Sequence, residues 1–387
     1  MNNNYKSNLW KFFIFALSQR RNFIPILSIF FLTLPNTTAK QIGLYTGIGY
    51  LTSFLFEIPS GYFSDVFGHK RSLIFSKIAM ICSQLFFIFA SSVYWFIAGS
   101  ILMATSLSLS SGTKEAFMHD TLKKLKREKE FSKVMGKLSA NISVVSVVLI
   151  VLLPFFTSIN ILVPLWIWLF VDFIGLFISF TFVNTNNHKT IQKKDQKSVL
   201  QLFKDAHKFK FFSIAIFTGA ITGFHLGSSG FRSVYLDQLG YPIIFLGFVM
   251  GLSRLIWFVV GNYAHLIEEK FTMKQHFLFE IFFFPLLFFA IAFFSNPYFV
   301  GLLFSIIVGY QWGRHQVINN YLLNYNPNPK YKATIISFMK QISAMFQFSM
   351  AFIGGFVMNY SYKLGYAFLG IVLFLFLVCS YYYIKKH

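Results

Sequence analysis

The chain has 387 residues, of which 56% are hydrophobic and only 12% are charged. Water-soluble domains carry roughly 25% charged residues, so a soluble globular protein is excluded and most of this surface must face hydrocarbon. The formal charge of +21 does not point to nucleic acid, because the basic residues collect between apolar runs, as membrane topology and anionic lipid headgroups require.

Apolar runs of about 20 residues, the length that crosses a hydrocarbon core of about 30 Å, recur throughout and predict an all-α membrane protein of twelve helices. They fall at 11–34, 41–62, 71–91, 93–119, 134–157, 161–183, 210–231, 243–266, 275–295, 297–322, 333–357 and 363–384. The first run contains Arg20 and Arg21 and then Pro25, a pattern that predicts a local kink. The N-terminal stretch lacks a small-residue cleavage site, so no cleaved leader is expected. Cys82 and Cys379 both lie in apolar runs, which implies neither a disulfide framework nor a metal site.

Alternating the connections places 24 of the 34 Lys and Arg on one face and three, Lys40, Arg232 and Lys363, on the other. The positive-inside rule then puts both termini in the cytoplasm, together with the 184–209 linker. That linker divides the chain into an N-terminal six-helix bundle, 1–183, and a C-terminal one, 210–387. The halves echo each other weakly: GYFSDVFGHK from Gly61 with GNYAHLIEEK from Gly261, and SGTKEAF on span four with QWGRHQV on span ten. A duplicated six-helix unit is a common design of secondary transporters.

The stretch EIPSGYFSDVFGHKRSLIF, residues 57–75, is unusually polar for this chain. Gly61 suits close helix approach, and Gly68 suits the positive φ of a tight turn. Asp65 suits a helix end facing a positive helix N-terminus. Lys70 and Arg71 are placed to pair with Asp120 near the cytoplasmic end of span four. Gly61, Asp65, Gly68, Lys70 and Arg71 resemble the Gly-x-x-x-Asp-x-x-Gly-[Arg/x]-[Arg/Lys] signature of the major facilitator superfamily, with His69 where Arg is frequent. SGTKEAFMHDTL on span four resembles a stretch of that family's bacterial drug-exporter-like branch. The resemblance implies two pseudo-symmetric six-helix bundles in a bacterial cytoplasmic (inner) membrane. It also implies a conformational latch at Gly61, Asp65, Gly68, Lys70, Arg71 and Asp120, and efflux by antiport. Span five departs from the family's antiporters: between Gly136 at its start and Pro154 near its end it has no glycine.

An ionisable group inside a span costs at least roughly 2.5–3.5 kcal/mol near the bilayer centre, so it needs a partner, a wet cavity or a function. Arg20, Arg21, Arg254, Lys114, Arg314 and Asp172 are the candidate substrate-binding residues. One of Arg20 and Arg21 faces a cavity, because neighbours on a helix diverge by about 100°. Asp172, Glu115 and Glu280 are the candidate proton carriers. For Lys77 and Glu57 a structural pairing is expected, and for His225 and His315 a satisfied interior site. Seven fixed cations against four carboxylates favour anionic, zwitterionic or amphiphilic solutes. The chain contains no phosphate-cradling loop and no His/Cys cluster at metal-ligand spacing, so neither an enzyme nor a cofactor is implied. The expected function is a secondary active transporter of a small organic solute working as a monomer by alternating access, with proton-coupled efflux. The competing readings are a non-transporting receptor or scaffold on the same fold, and an organic-anion importer.

Overall fold

A computed structural model describes residues 2–185, 211–325 and 332–386. No strand occurs among the described residues, and each of the twelve expected segments is helical over most of its described length. The α-helices are α1 (Asn2–Ser18), α2 (Ile24–Leu32), α3 (Ala39–Phe67), α4 (His69–Ile88), α5 (Val93–Ser110), α6 (Thr113–Lys124), α7 (Phe131–Leu152) and α8 (Val163–Phe180). They continue with α9 (Phe211–Gly227), α10 (Ser229–Gln238), α11 (Leu246–Asn262), α12 (Ala264–Lys270), α13 (Met273–Phe293), α14 (Pro297–Tyr325), α15 (Lys332–Met358) and α16 (Tyr362–Lys386). Among the described residues, eight helical stretches are long and apolar enough by themselves to cross a membrane.

Several expected spans are not single helices. Span one is interrupted between Ser18 and Ile24. The run Gln19-Arg20-Arg21-Asn22 puts four polar side chains on successive residues, and no single helix face can shelter them all. Pro25 then opens α2 at a position where a missing N–H removes no helical hydrogen bond. Span four, expected to be continuous, breaks at Gly112, whose φ of +71° leads into α6. Span seven breaks at Ser228 between α9 and α10. Gly68 has the positive φ expected of it, +92°, and starts α4 one residue after α3 ends.

The chain forms two compact units. One comprises Met1–Thr37 with Leu51–Gln192, and the other Thr38–Tyr50 with Lys193–His387. The expected boundary fell in the 184–209 linker, of which 186–209 lies outside the described residues. The first stretch of α3, Thr38–Tyr50, groups with the second unit instead of with the N-terminal helices.

In the first unit α4 packs along α5 and α8, and α1 along α8. Phe12, Phe15, Leu73, Phe117, Met118, Leu122, Ile178 and Phe182 form its core, with the Phe117 and Phe182 ring centroids 4.7 Å apart. Lipid chains are as apolar as these side chains, so burying them gains contact and shape complementarity more than removal from water. For the same reason the outward Phe170 and Phe177, about two-thirds exposed, carry no penalty in a bilayer.

In the second unit α9 lies along α15, α11 along α14, and α13 along α16. The first contact depends on Gly219, Gly223 and Gly227, one helical turn apart on α9. A Cβ at these positions would run into Ile342, Phe346 and Gln347 of α15. Gly61 behaves differently from the expectation of close helix approach: a Cβ there would meet nothing within 4 Å. Two substitutions therefore separate. Gly223→Ala should lower the thermal unfolding midpoint of the purified protein clearly, because the overlapping atom is Phe346 Cβ, which cannot swing aside. Gly61→Ala should leave it unchanged or raise it, by the roughly 0.5–1 kcal/mol that Ala gains over Gly in a helix.

Candidate functional site

The first unit sorts its buried charges into two groups. Lys77 on α4 pairs with Asp172 on α8, both side chains fully buried, and Gln84, two turns after Lys77, donates to the other carboxylate oxygen. This confirms a structural pairing for Lys77 and occupies both oxygens of Asp172, a candidate substrate ligand and proton carrier. Removing one member of such a pair leaves a bare charge in a low dielectric, which costs about 3–5 kcal/mol.

The second group sits at the break between α1 and α2. Arg20 and Arg21, both half-buried, lie in the non-helical link, and both act electrostatically on half-buried Lys114 in the first turn of α6. Among the described residues no carboxylate pairs with Arg20. Glu115, beside Lys114, is exposed. The flanking amides were not singled out by charge, yet they complete the cluster. Gln19 donates from Nε2 to Ser76 Oγ at 3.0 Å, and its Oε1 has no partner among the described residues. Asn22 accepts from Ser146 Oγ at 3.1 Å, and its Nδ2 is likewise unmet. A buried polar atom without a partner costs about 1–3 kcal/mol. The uninterrupted polar run 19–22 was the sequence signal for both amides.

The polar turn at 57–75 is built differently from the expectation. Asp120 faces His69, with Nε2 to Oδ2 at 3.5 Å, and neither Lys70 nor Arg71 pairs with it among the described residues. Ser64 near the end of α3 links to His69 Nδ1 at 3.0 Å, and Thr113 at the start of α6 donates to Ser64 Oγ at 3.0 Å. The chain Thr113–Ser64–His69–Asp120 thus ties α3, α4 and α6 together within the first unit. Lys70 and Arg71 stand in the first turn of α4, Lys70 half-buried and Arg71 exposed, and Asp65 is exposed as well.

In the second unit Arg314 on α14 holds Glu280 on α13 through two nitrogens, Nη2 to Oε2 at 2.7 Å, and His276 meets Glu280 Oε1 from one turn earlier at 3.1 Å. Arg314 and Glu280, proposed from sequence for different roles, are therefore one buried pair. Arg254 lies half-buried on α11 with its guanidinium 5.3 Å from the Trp257 ring centroid. His315 lies against Trp312, and Lys340 is exposed.

An all-helical chain with many membrane-length helices and two compact units is a polytopic membrane protein. A family model described as Major Facilitator Superfamily matches residues 10–349, and the chain belongs to that family. An uncharacterized MFS-type transporter, YxaM, of Bacillus subtilis (strain 168) is 26% identical over 241 residues, covering 59% of this chain and 58% of that protein. An uncharacterized transporter of Buchnera aphidicola subsp. Schizaphis graminum (strain Sg) is 29% identical over 264 residues, covering 66% of this chain and 62% of its own length. The chain thus matches less than two thirds of the length of these relatives. Among solved structures, a mutant of the nucleoside transporter NupG superposes with a TM-score of 0.81 at 10% identity, covering 99% of both chains. A D-xylose-proton symporter superposes at 0.69 with 13% identity, covering 96% of each. These likenesses show the fold, twelve helices in two halves. The protein is an integral, multi-pass membrane protein of that family.

The reading of Asp172 as a buried counter-ion has a direct check. Lys77→Met and Asp172→Asn should each lower the unfolding midpoint strongly, and the double variant should recover most of the loss. Transport by the double variant should remain near the wild-type level. A double variant that is stable but inactive would return Asp172 to the substrate path.

Proposed function

We propose that the protein carries a small organic solute bearing an anionic group, zwitterionic and amphiphilic molecules included, by alternating access. The break between α1 and α2 is its recognition element in the first unit. The observation that supports this is the combination at one place of Arg20, Arg21 and Lys114 with two unmet amide atoms, Gln19 Oε1 and Asn22 Nδ2. The concentration of positive charge attracts an anionic group, and an acceptor and a donor suit a polar ligand. In membrane transporters, interrupted helices are where polar backbone and side chains can meet a solute without exposing themselves to lipid. A receptor or scaffold gains nothing from keeping such groups unmet, and family membership favours a carrier.

Of the three candidate proton carriers, Glu280 is the one we assign to coupling. Glu115 is exposed, and of the two buried pairs only that of Glu280 and Arg314 shares its site with an imidazole, His276. With a neutral imidazole the triad carries no net charge, and one added proton makes it cationic. Efflux in exchange for protons through a bacterial inner membrane, with both termini cytoplasmic, completes the reading; the orientation follows from the charge asymmetry of the connections.

The test begins with purified protein screened by thermal shift against carboxylates, phosphate esters, nucleosides and uncharged sugars, since a ligand stabilises the state it binds. Anionic compounds should raise the midpoint and uncharged ones should not. Arg20→Gln or Arg21→Gln should reduce transport of the best hit in liposomes by about tenfold or more while leaving the unliganded midpoint within a few degrees. Equal transport by both variants would remove the break from the solute path. Transport that ignores an imposed pH gradient would remove the proton.

A further inference from the structure

Span seven is interrupted at Ser228 by no residue that compels a break. Pro25 and the positive φ of Gly112 accompany the breaks in spans one and four. Ser228 has an ordinary φ of −85° and a ψ of 0°, and it stands in the run Gly227-Ser228-Ser229-Gly230. Such a run propagates a helix weakly without forbidding one. In a continuous helix His225 O and Leu226 O would accept from the N–H groups of Ser229 and Gly230. No backbone hydrogen bond crosses there among the described residues. Ser228 N–H still reaches Phe224 O at 3.1 Å, and pairing resumes with Phe231 N–H, which donates to Ser228 O at 3.2 Å.

Side chains answer those two carbonyls instead. Tyr50 on α3 gives its hydroxyl proton to Leu226 O at 2.8 Å, so in its second contact, at 3.0 Å, Ser229 Oγ is the donor. His225 O accepts from Ser228 Oγ at 3.1 Å and from Nη2 of Arg232. The sequence position of Arg232 suggested an outer-face residue, but the guanidinium is buried at the break. Tyr50 comes from another helix, at the end of the α3 stretch that groups with the second unit. That stretch is docked on α15: a Cβ on Gly43 would run into Ala351 O and Gly355, and the Lys40 ammonium stands 4.4 Å from the Phe356 ring centroid. On one side of the break α9 is pinned to α15 by its glycines. On the other, Tyr235 Oη of α10 donates to Ile291 O of α13 at 3.1 Å. Between these anchors the break itself is the part left to change.

We infer that the break in span seven is a two-state element set by Tyr50. With the Tyr50 hydroxyl docked, Leu226 O is taken and the break stays open. With it withdrawn, Leu226 O pairs with Gly230 N–H, and His225 O, which has two lone pairs, takes Ser229 N–H beside Arg232. Span seven then runs on as one helix. Each state supplies the same two carbonyls with a different set of donors and leaves neither bare, so the element can rest in either arrangement. α3 continues to Phe67 within the first unit. On the proposed alternating access, on which this role rests, a displacement of α3 would therefore reach the second unit at Tyr50. Tyr50 is a positioning residue that acts through the break. Were it only a cap on a permanent kink, removing its hydroxyl would loosen the site and tighten nothing.

The experiment follows amide hydrogen exchange of the full-length protein in detergent, in peptides that cover Leu226 to Arg232. It needs no solute, so its result stands apart from the test of transport. Tyr50→Phe keeps the ring and removes the hydroxyl. It should slow exchange at Ser229 and Gly230 by about tenfold, because both N–H groups enter a helix. Ser228→Ala removes a side-chain donor from His225 O and favours the helix, so it should act in the same direction. Gly43→Val has no room against Ala351 O and Gly355. It should lift α3 from α15 and reproduce the slowing with the Tyr50 hydroxyl intact. If Tyr50→Phe exchanges at the wild-type rate or faster, the carbonyls have stayed open and the two-state element is refuted. If Tyr50→Phe slows exchange and folded Gly43→Val does not, the link from α3 to the break is refuted.

Discussion

Placing a fixed charge in hydrocarbon is costly, and a membrane protein that keeps about a dozen ionisable groups in its spans must settle each of them. This chain uses two solutions. Where the helix is continuous, charges meet across helices: Lys77 with Asp172, and Arg314 with Glu280. Where the helix is broken, at 19–23 and at Ser228, Arg20 and Arg232 stand among polar groups with no carboxylate paired to them among the described residues. The pairing solution gives cohesion, since each pair ties two helices that lipid-like side chains hold only by fit. On the proposed function, the broken-helix solution is where a solute would be received.

Each unit holds one example of both solutions, and that is the form in which the weak sequence repeat is visible in the chemistry. The correspondence is loose. Lys77 and Glu280 lie on the equivalent spans three and nine with opposite sign, and their partners come from spans six and ten. The halves share the span on which a buried charge stands; which charge it is, and what answers it, differs between them.

Much of this was readable in the sequence, for definable reasons. Apolar runs separated by basic turns locate the twelve helical segments because length and hydropathy alone decide membrane crossing. Gly68 is legible because a one-residue turn between α3 and α4 leaves only a positive φ. The break at Arg20 and Arg21 announces itself as a polar run ahead of Pro25. What stayed hidden depends on distant partners or on where a helix is interrupted. Nothing local marks Asp172 as the counter-ion of Lys77, 95 positions away, or shows that Asp120 would meet His69 in place of Lys70 and Arg71. Arg232 looked like a surface cation because its span was taken to end near residue 231, whereas the helix resumes after Ser228 and continues to Gln238. Gln19, Asn22 and Tyr50 were missed because uncharged polar groups are unremarkable in a span until their neighbours are known.

The glycine seam between α9 and α15 has a further consequence. With no side chain on α9 at these three positions, about two turns in all, the backbone of α9 lies directly on Ile342, Phe346 and Gln347 of α15, so neither helix can rotate about its axis or slide without lifting off the other. They must travel as one rigid strut through any transport cycle. A systematic mutational survey should accordingly find the seam intolerant even of a methyl group, while the phenylalanines on the lipid-facing exterior accept almost any greasy replacement.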